Sequence, residues 1–131
     1  MFTGIVIATG RVASITEKDG DLDLAIEAGA LDLKRVAVGD SVSVSGVCLT
    51  ATRIDGGVFH ADVSRETLVK TTLGSFAAGR RVNLEPSLRA GDPLGGHLVS
   101  GHVDAVGTLA DLFRDARSWR LRFELPQALV R

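Results

Sequence analysis

The stretch GGHLVSGHVD at residues 95–104 decides the fold, because there the chain begins to repeat its own beginning. Residues 100–109 follow the pattern of residues 3–12, which is a shift of 97 positions. The same shift places Trp119, Leu121, Phe123 and Glu124 on Leu22, Leu24, Ile26 and Glu27. Two separated matches in one register indicate a duplicated structural unit. The sequence therefore predicts a first unit over residues 1–97 and the beginning of a second over residues 98–131.

Apolar and polar residues alternate with period two through most of the first unit, which is typical of half-buried strands. The predicted strands cover residues 5–15, 22–26, 42–54, 58–63 and 81–85. The longest of them passes Gly46, where we expect a bulge or kink, and Asp55-Gly56-Gly57 predicts a tight hairpin turn. Ser64 is a suitable N-cap for a short helix over residues 65–70, which Gly74 would end. These elements predict an all-β protein with a small, closed, six-stranded antiparallel barrel of Greek-key-like order.

The second unit is expected to hold only an opening β-hairpin. A segment of 34 residues, from 98 to 131, is too short to bury a core of its own, since pieces under about forty residues rarely do. Its strands are predicted over residues 99–112 and 119–125, with a turn at 114–117. Trp119, Leu121 and Phe123 would form the inward face. We expect this hairpin to pack on another chain, to pack on the first barrel, or to be poorly ordered.

Composition excludes several classes of protein. The net charge of −1 gives no electrostatic reason for binding nucleic acid or an anionic membrane, and the arginines near the C-terminus suit the solvated faces of a hairpin. The single cysteine excludes an intrachain disulfide and is compatible with a reducing cytoplasm. The sequence has neither a signal-peptide pattern nor a long apolar run, so a cytoplasmic location is expected.

The sequence also lacks the common catalytic signatures. His60, His97, His102 and Cys48 are not spaced as metal ligands. Residues 95–97 do not fit a dinucleotide fingerprint, and neither a phosphate-binding loop nor a nucleophile elbow occurs. We therefore predict neither a metal ion nor a cofactor.

Polar side chains at the predicted strand ends are the candidates for a binding site. Cys48 and Thr50 alternate and so face the same side of a strand, although a buried, inert thiol is the alternative for Cys48. Asp62, Ser64 and Thr67 place a carboxylate and two hydroxyls at a strand-to-helix turn, where capping would also explain Ser64. Such groups suit a polar, uncharged ligand better than a phosphate.

His102 is the remaining candidate for chemistry. It stands where the first repeat has Ile5, and its pKa would allow proton transfer near neutral pH. A structural, hydrogen-bonded histidine is the alternative.

Five motifs in this order resemble riboflavin synthase of the α-subunit type, and the resemblance covers the whole chain from Met1. The motifs are MFTGIV at 1–6, GVCLT at 46–50, ETL with TTL at 66–73, VNLE at 82–85 and GGHLVSGHVD at 95–104. The resemblance implies two similar six-stranded barrels in tandem, followed by a C-terminal helix, in a homotrimer. The chain departs from this pattern, because most of the second barrel and the helix are missing. For such a shortened form a dimer is an alternative to the trimer.

The resemblance also implies a reaction of riboflavin biosynthesis. A riboflavin synthase is a transferase that dismutates two molecules of 6,7-dimethyl-8-ribityllumazine. A four-carbon unit passes from one to the other, which gives riboflavin and 5-amino-6-ribitylamino-pyrimidinedione without a cofactor or metal. Each active site lies between the first barrel of one subunit and the second barrel of its neighbour. This chain would thus supply mainly the N-terminal half-site.

Site residues follow from the resemblance as well. The implied substrate-binding residues are Gly4, Ile5, Val6, Cys48, Leu49, Thr50, Asp62, Val63, Ser64, Arg65, Glu66 and Thr67 in the first barrel, and Gly101, His102 and Val103 in the second. Phe2, Cys48 and His102 are the candidates for catalysis, Phe2 by shaping the site and His102 by handling protons. The alternative function is an antenna-like protein that binds lumazine or flavin without turnover and in which Cys48 and His102 are dispensable. A generic barrel interaction module is a third possibility.

Overall fold

Six antiparallel strands close into a barrel in a computed structural model that describes residues 1–130. The barrel strands are β1 Ala8–Lys18, β2 Asp21–Glu27, β3 Ser41–Val44, β4 Val47–Asp55, β5 Val58–Val63 and β6 Arg81–Pro86. They are joined in the order β1-β2-β5-β4-β3-β6, and β6 pairs with β1 to close the sheet. The predicted all-β class and the closed six-stranded barrel are therefore confirmed.

The barrel is filled by the residues that alternate towards its axis. Along β1, Ala8, Gly10 and Val12 are buried while the residues between them are exposed. Phe59 lies in the centre with none of its surface exposed. A side chain at Gly10 would collide with the carbonyl oxygen of Glu27, so only glycine allows β1 and β2 to approach this closely. The period-two pattern thus specifies which face of each strand forms the core.

The connections differ from the predictions in two places. Ser45 and Gly46 form a two-residue hairpin turn between β3 and β4, with φ of 49° and 89°, so the predicted continuous strand with a bulge was wrong. Two successive positive φ values are typical of the type I′ turn, which suits the twist of a hairpin. The first strand begins at Ala8 rather than at residue 5.

One short helix follows strand β5. Helix α1 covers Arg65–Lys70, and the Ser64 side chain accepts a hydrogen bond from the Thr67 amide, as predicted. The helix ends before Thr71 rather than at Gly74, which lies within a following 3-10 turn, Thr72–Ser75. Further 3-10 turns cover Leu33–Arg35 and Gln127–Leu129. Within residues 1–130, no helix has the length and apolar character needed to cross a bilayer.

The second unit reproduces the first hairpin at the shift of 97 positions. Strands β7 Thr108–Asp115 and β8 Ser118–Glu124 form a separate two-stranded sheet. The register of β7 slips between Leu109 and Asp111, and that of β1 slips between Val12 and Ser14. Both pairs differ by 97, which is independent structural support for the repeat. The strand predicted to begin at residue 99 begins instead at Thr108.

All residues of β7 and β8 are exposed, including Trp119 at 60%. The hairpin therefore does not pack on the first barrel, which was one of three expectations. Packing on another chain and poor order stay predictions, and so does the domain boundary after residue 97. Arg131, the last residue of the predicted second unit, lies outside the described residues.

Candidate functional site

Two segments outside the barrel strands bring the candidate site together. Phe2 and Val99 form an antiparallel bridge, in which the Phe2 amide donates to the Val99 carbonyl at 2.7 Å and the Val99 amide donates back at 3.0 Å. The His97 amide donates to the Thr3 carbonyl at 2.8 Å. The Cys48 amide in turn donates to the Gly101 carbonyl at 2.9 Å. Residues 97–101 are thus held between the N-terminal segment and strand β4.

A cavity of about 300 Å³ lies where this segment meets β4 and α1. This volume is at the lower end of the range of about 300–1,000 Å³ for small-molecule sites. The lining residues are Val47, Cys48, Glu66, Thr67, Lys70, Thr71, Gly101, His102 and Val103. The cavity therefore combines apolar walls with hydroxyl, carboxylate, ammonium and imidazole groups.

Helix α1 supplies the polar wall of this cavity. Ser64 Oγ accepts the Thr67 amide at 3.2 Å and lies 3.0 Å from Thr67 Oγ1. At the other end of the helix, Thr71 Oγ1 donates to the Thr67 carbonyl at 2.7 Å. Lys70 Nζ lies 3.5 Å from Glu66 Oε1, a pair one helical turn apart. The cap therefore fixes the helix start, and the helix spacing carries the charged pair to the cavity.

Strand β4 supplies the opposite wall through its outer face. Leu49 is buried in the barrel core, so its neighbours Cys48 and Thr50 point outwards, as their alternation predicts. Cys48 is half-buried, because Gly101 lies directly over it. Phe2 is only 1% exposed, and its ring lies against Gly101 beside Cys48.

His102 follows Gly101 at the rim of the cavity. Its side chain is exposed, and its backbone amide donates to Ser100 Oγ at 3.2 Å. Ile5 and Thr3 make the equivalent bond at 3.1 Å, 97 positions earlier. The same backbone turn thus presents an apolar side chain in one repeat and a titratable one in the other.

The cavity collects some of the residues predicted from the sequence and leaves others apart. Six of them line it: Cys48, Glu66, Thr67, Gly101, His102 and Val103. Leu49 and Val63 point into the barrel core, and Phe2 is buried behind the cavity wall. Asp62 forms an ion pair with Lys18 at 3.2 Å. The others outside the lining are Gly4, Ile5, Val6, Thr50, Ser64 and Arg65.

Three lining residues were missed by the sequence analysis: Val47, Lys70 and Thr71. A usable signal existed for two of them, since Lys70 and Thr71 lie four residues after Glu66 and Thr67 on the same helix face. Val47 is the first residue of β4 and its side chain belongs to the core as well. No local pattern marks such a residue as part of a cavity.

A second cavity of about 360 Å³ lies beside the N-terminal segment and includes Ile5. Four of its charged side chains form two ion pairs, with Arg35 3.9 Å from Asp92 and Arg89 3.5 Å from Asp40, whereas Glu85, which also lines it, forms no ion pair within residues 1–130. Across residues 1–130, no three His, Cys, Asp or Glu side chains are grouped so that they could hold a metal ion.

Comparison with known proteins agrees with the five motifs. Residues 3–87 match the family model of the lumazine binding domain. The chain is 36% identical over 129 residues to the riboflavin synthase of Photobacterium phosphoreum, covering 98% of this chain and 59% of the relative. It is 44% identical over 129 residues to that of Chlamydia pneumoniae, covering 98% and 64%. The chain thus spans about three-fifths of the length of these curated relatives.

The chain is also similar in structure to a protein that binds riboflavin and a ribityl lumazine. The crystal structure of LumP complexed with riboflavin superposes with a TM-score of 0.86 at 28% identity, covering 99% of this chain and 70% of LumP. LumP complexed with 6,7-dimethyl-8-(1'-D-ribityl) lumazine gives a TM-score of 0.83 at 26% identity, with 99% and 69% covered. The family match includes all six barrel strands, so this chain belongs to the lumazine-binding domain family.

Proposed function

We propose that this chain is the ligand-binding N-terminal part of a riboflavin synthase and supplies one half of its active site. The observation that carries the proposal is the cavity between β4, α1 and residues 101–103, because it collects six of the predicted residues. Riboflavin synthases among the relatives and lumazine-bound LumP among the similar structures support the choice of ligand. The reaction is the dismutation of two 6,7-dimethyl-8-ribityllumazine molecules into riboflavin and 5-amino-6-ribitylamino-pyrimidinedione.

Positioning is the first task of the site. The substrate's methyl group is already acidic, so the protein has chiefly to hold two rings in register and to move protons. One lumazine ring would lie between the Cys48 side of β4 and the 101–103 segment. The hydroxyls and charged pair of α1 would bind its ribityl chain and polar edge. An open outer face would leave the second ring to be presented by another barrel.

Proton transfer is the second task, and His102 is the group placed for it. Its imidazole is exposed at the cavity rim, where it can exchange protons with water and with a bound ring. Cys48 contributes to the cavity wall, and both Cys48 and Phe2 pack against Gly101. We assign proton handling to His102 and shaping of the site to the other two.

A complete site needs a partner barrel. In the full-length protein we propose a homotrimer, in which a second barrel of a neighbouring subunit holds the second lumazine. Two copies of this chain could meet about a twofold axis and present two first barrels to each other. The reaction rate would then rise as the square of the chain concentration where the dimer is mostly dissociated.

Binding without turnover is the second candidate function. The LumP structures favour it, since LumP is the similar protein seen with both riboflavin and a ribityl lumazine. In that case the chain would bind lumazine or riboflavin with Cys48 and His102 dispensable.

The two functions are separated by one experiment with purified chain and 6,7-dimethyl-8-ribityllumazine. Ligand fluorescence measures binding, and the absorbance of riboflavin measures turnover as the chain concentration is varied. His102→Gln should abolish most turnover and leave ligand affinity within about threefold, and His97→Gln is the matched control, since His97 does not line the cavity. Product formation supports the enzyme, whereas saturable binding without product shows that the chain alone only binds, as a half-site without its partner barrel also would. Absence of binding by the folded chain would overturn both functions.

A further inference from the structure

Glu85 is a buried carboxylate that the proposed reaction does not use. It lies on β6 beside Leu84, whose side chain faces the core, so Glu85 points out of the barrel, yet it is only 7% exposed. It accepts hydrogen bonds from the Thr3 amide at 2.5 Å, from Thr3 Oγ1 at 2.6 Å and from the Gly4 amide at 3.1 Å. Bonds to an ionised acceptor are shorter and stronger than neutral ones. All three donors belong to the N-terminal segment.

No cation shares this carboxylate, since Glu85 takes part in no ion pair with any residue from 1 to 130. Burying a charge is costly unless hydrogen bonds replace the lost water. Here the replacement comes from two backbone amides and one hydroxyl of residues 3 and 4. The N-terminal segment and Glu85 therefore stabilise each other, and these three hydrogen bonds are lost if the segment leaves.

The sheet register places Glu85 in the same row of residues as Cys48 of the candidate site. On β3, Ser43 pairs with Glu85 of β6 on one side and with Cys48 of β4 on the other. Neighbouring strands lie about 4.8 Å apart, so Glu85 and Cys48 are about 10 Å apart along one row. Ser43 is only 7% exposed although its neighbours Val42 and Val44 face the core. The outer face of this row is thus covered.

From the anchored segment, contacts lead on to His102. Phe2 is adjacent to Thr3, pairs with Val99 through two backbone bonds, and places its ring against Gly101. Gly101 is itself tied to the Cys48 amide, and His102 is the next residue. A shift of residues 2–4 would therefore move the segment that carries His102.

We propose that Glu85 is a positioning residue, which holds residues 1–4 so that Phe2 fixes Gly101 and His102 at the cavity. Its effect on ligand binding rests on the proposed function, but its effect on the segment does not. Cys48, the only cysteine of the chain, lies under Gly101 and is a built-in reporter of that segment. Cys48 is half-buried with the segment in place, so movement of the segment away from it should raise the rate at which its thiol reacts.

The test compares Glu85→Gln with the unmodified chain. The reaction of Cys48 with a disulfide reagent is followed at fixed pH, under conditions where circular dichroism shows a folded barrel. The side-chain NH2 group of glutamine would stand opposite the Gly4 N–H, so that two donors face each other. At least one hydrogen bond is therefore lost, and the rate at which Cys48 reacts should rise about tenfold or more. Lumazine affinity should fall by a similar factor. Glu17→Gln, which removes an exposed carboxylate of β1, should change both by less than about twofold.

A purely structural role for Glu85 is excluded by a stability-matched control. Ile26→Val weakens the core on β2, which pairs with neither β4 nor β6, and should lower the melting temperature without exposing Cys48. A folded Glu85→Gln variant with unchanged thiol rate overturns the inference, as does an Ile26→Val variant that raises this rate equally. If the unmodified chain binds no lumazine, the proposed function fails, and the thiol rates still test the positioning role.

Discussion

Replacing Gly101 by alanine should disturb the candidate site. Among the glycines with positive φ, Gly101 is the one at which an added methyl group should damage this site most. Gly101 has φ of +79°, a conformation that L residues avoid. An added Cβ would lie 2.8 Å from Cys48 Cβ, 3.0 Å from Phe2 Cε2 and 3.1 Å from the Cys48 amide nitrogen. Two of these atoms belong to the rigid strand β4, so the 101–103 segment has to move.

The expected cost has two parts. The left-handed conformation costs an L residue about 1–2 kcal/mol, and forcing an extra methyl group into packed surroundings costs about 1–3 kcal/mol. Together they amount to about 2–5 kcal/mol, and about 1.4 kcal/mol corresponds to a factor of ten in an equilibrium. The segment can escape this cost by leaving β4. The free energy of unfolding can therefore fall only by the amount that the contacts of the 101–103 segment contribute to it. The rest of the cost of the substitution favours an open cavity, in which this segment has left β4.

Gly79→Ala is the matched control. Gly79 has a similar φ of +87°, but an added Cβ there would meet no atom within 4 Å. It should cost only the backbone part, about 1–2 kcal/mol in the unfolding free energy. Urea unfolding followed by circular dichroism gives the stability of both variants, and lumazine fluorescence gives their affinities. We expect affinity to fall about thirtyfold for Gly101→Ala and less than about twofold for Gly79→Ala. Equal losses in stability and affinity would refute the packing of Gly101 on Cys48 and Phe2.

Three further predictions concern the fold around the site. Ser64→Ala should lower the unfolding free energy by about 0.5–2 kcal/mol in urea unfolding, because the Thr67 amide loses its acceptor. Ser64→Asp keeps an acceptor there, so a loss of stability as large as that of Ser64→Ala would contradict the cap. Phe59→Ala should cost about 3–5 kcal/mol and Trp119→Ala less than about 0.5 kcal/mol in the same measurement; similar losses would disprove the location of the core. Removing residues 105–131 should shift the melting temperature by less than about 4 °C, since all barrel strands lie within residues 8–86, and a chain that no longer folds would show that the hairpin supports the barrel.

Alternation and turn residues were sufficient to predict the barrel. Each strand carries its core residues with period two, and Ser64 has both the residue type and the position of a helix cap. The hairpin between β3 and β4 was missed because this turn needs positive φ at both central residues, and Ser45, at the first of them, is neither glycine nor asparagine. The alternation changes phase at the turn, from Val42 and Val44 on β3 to Val47 and Leu49 on β4, and one extra residue in a single bulged strand would produce the same change.

The site was only partly predictable, for a different reason. The motifs identified the residues of the 101–103 segment and of α1, but the sequence does not contain the distances between them. Glu85 stands in a strand motif as an ordinary outward-facing residue, and its burial depends on where residues 1–4 lie. Such tertiary contacts between positions about eighty residues apart leave no local pattern.

The repeat explains why a histidine can stand at the rim without any change in backbone. Gly4 and Gly101 have φ of 80° and 79°, and the hydroxyls of Thr3 and Ser100 accept the amides of the residues two positions on. The backbone turn is thus the same in both units, and the structural requirement falls on the glycine and the hydroxyl. The next side chain is left free to vary, and it is Ile5 in one unit and His102 in the other. Under the proposed function, a duplicated barrel holds two like ligands near equivalent turns and places a proton-transfer group beside only one of them.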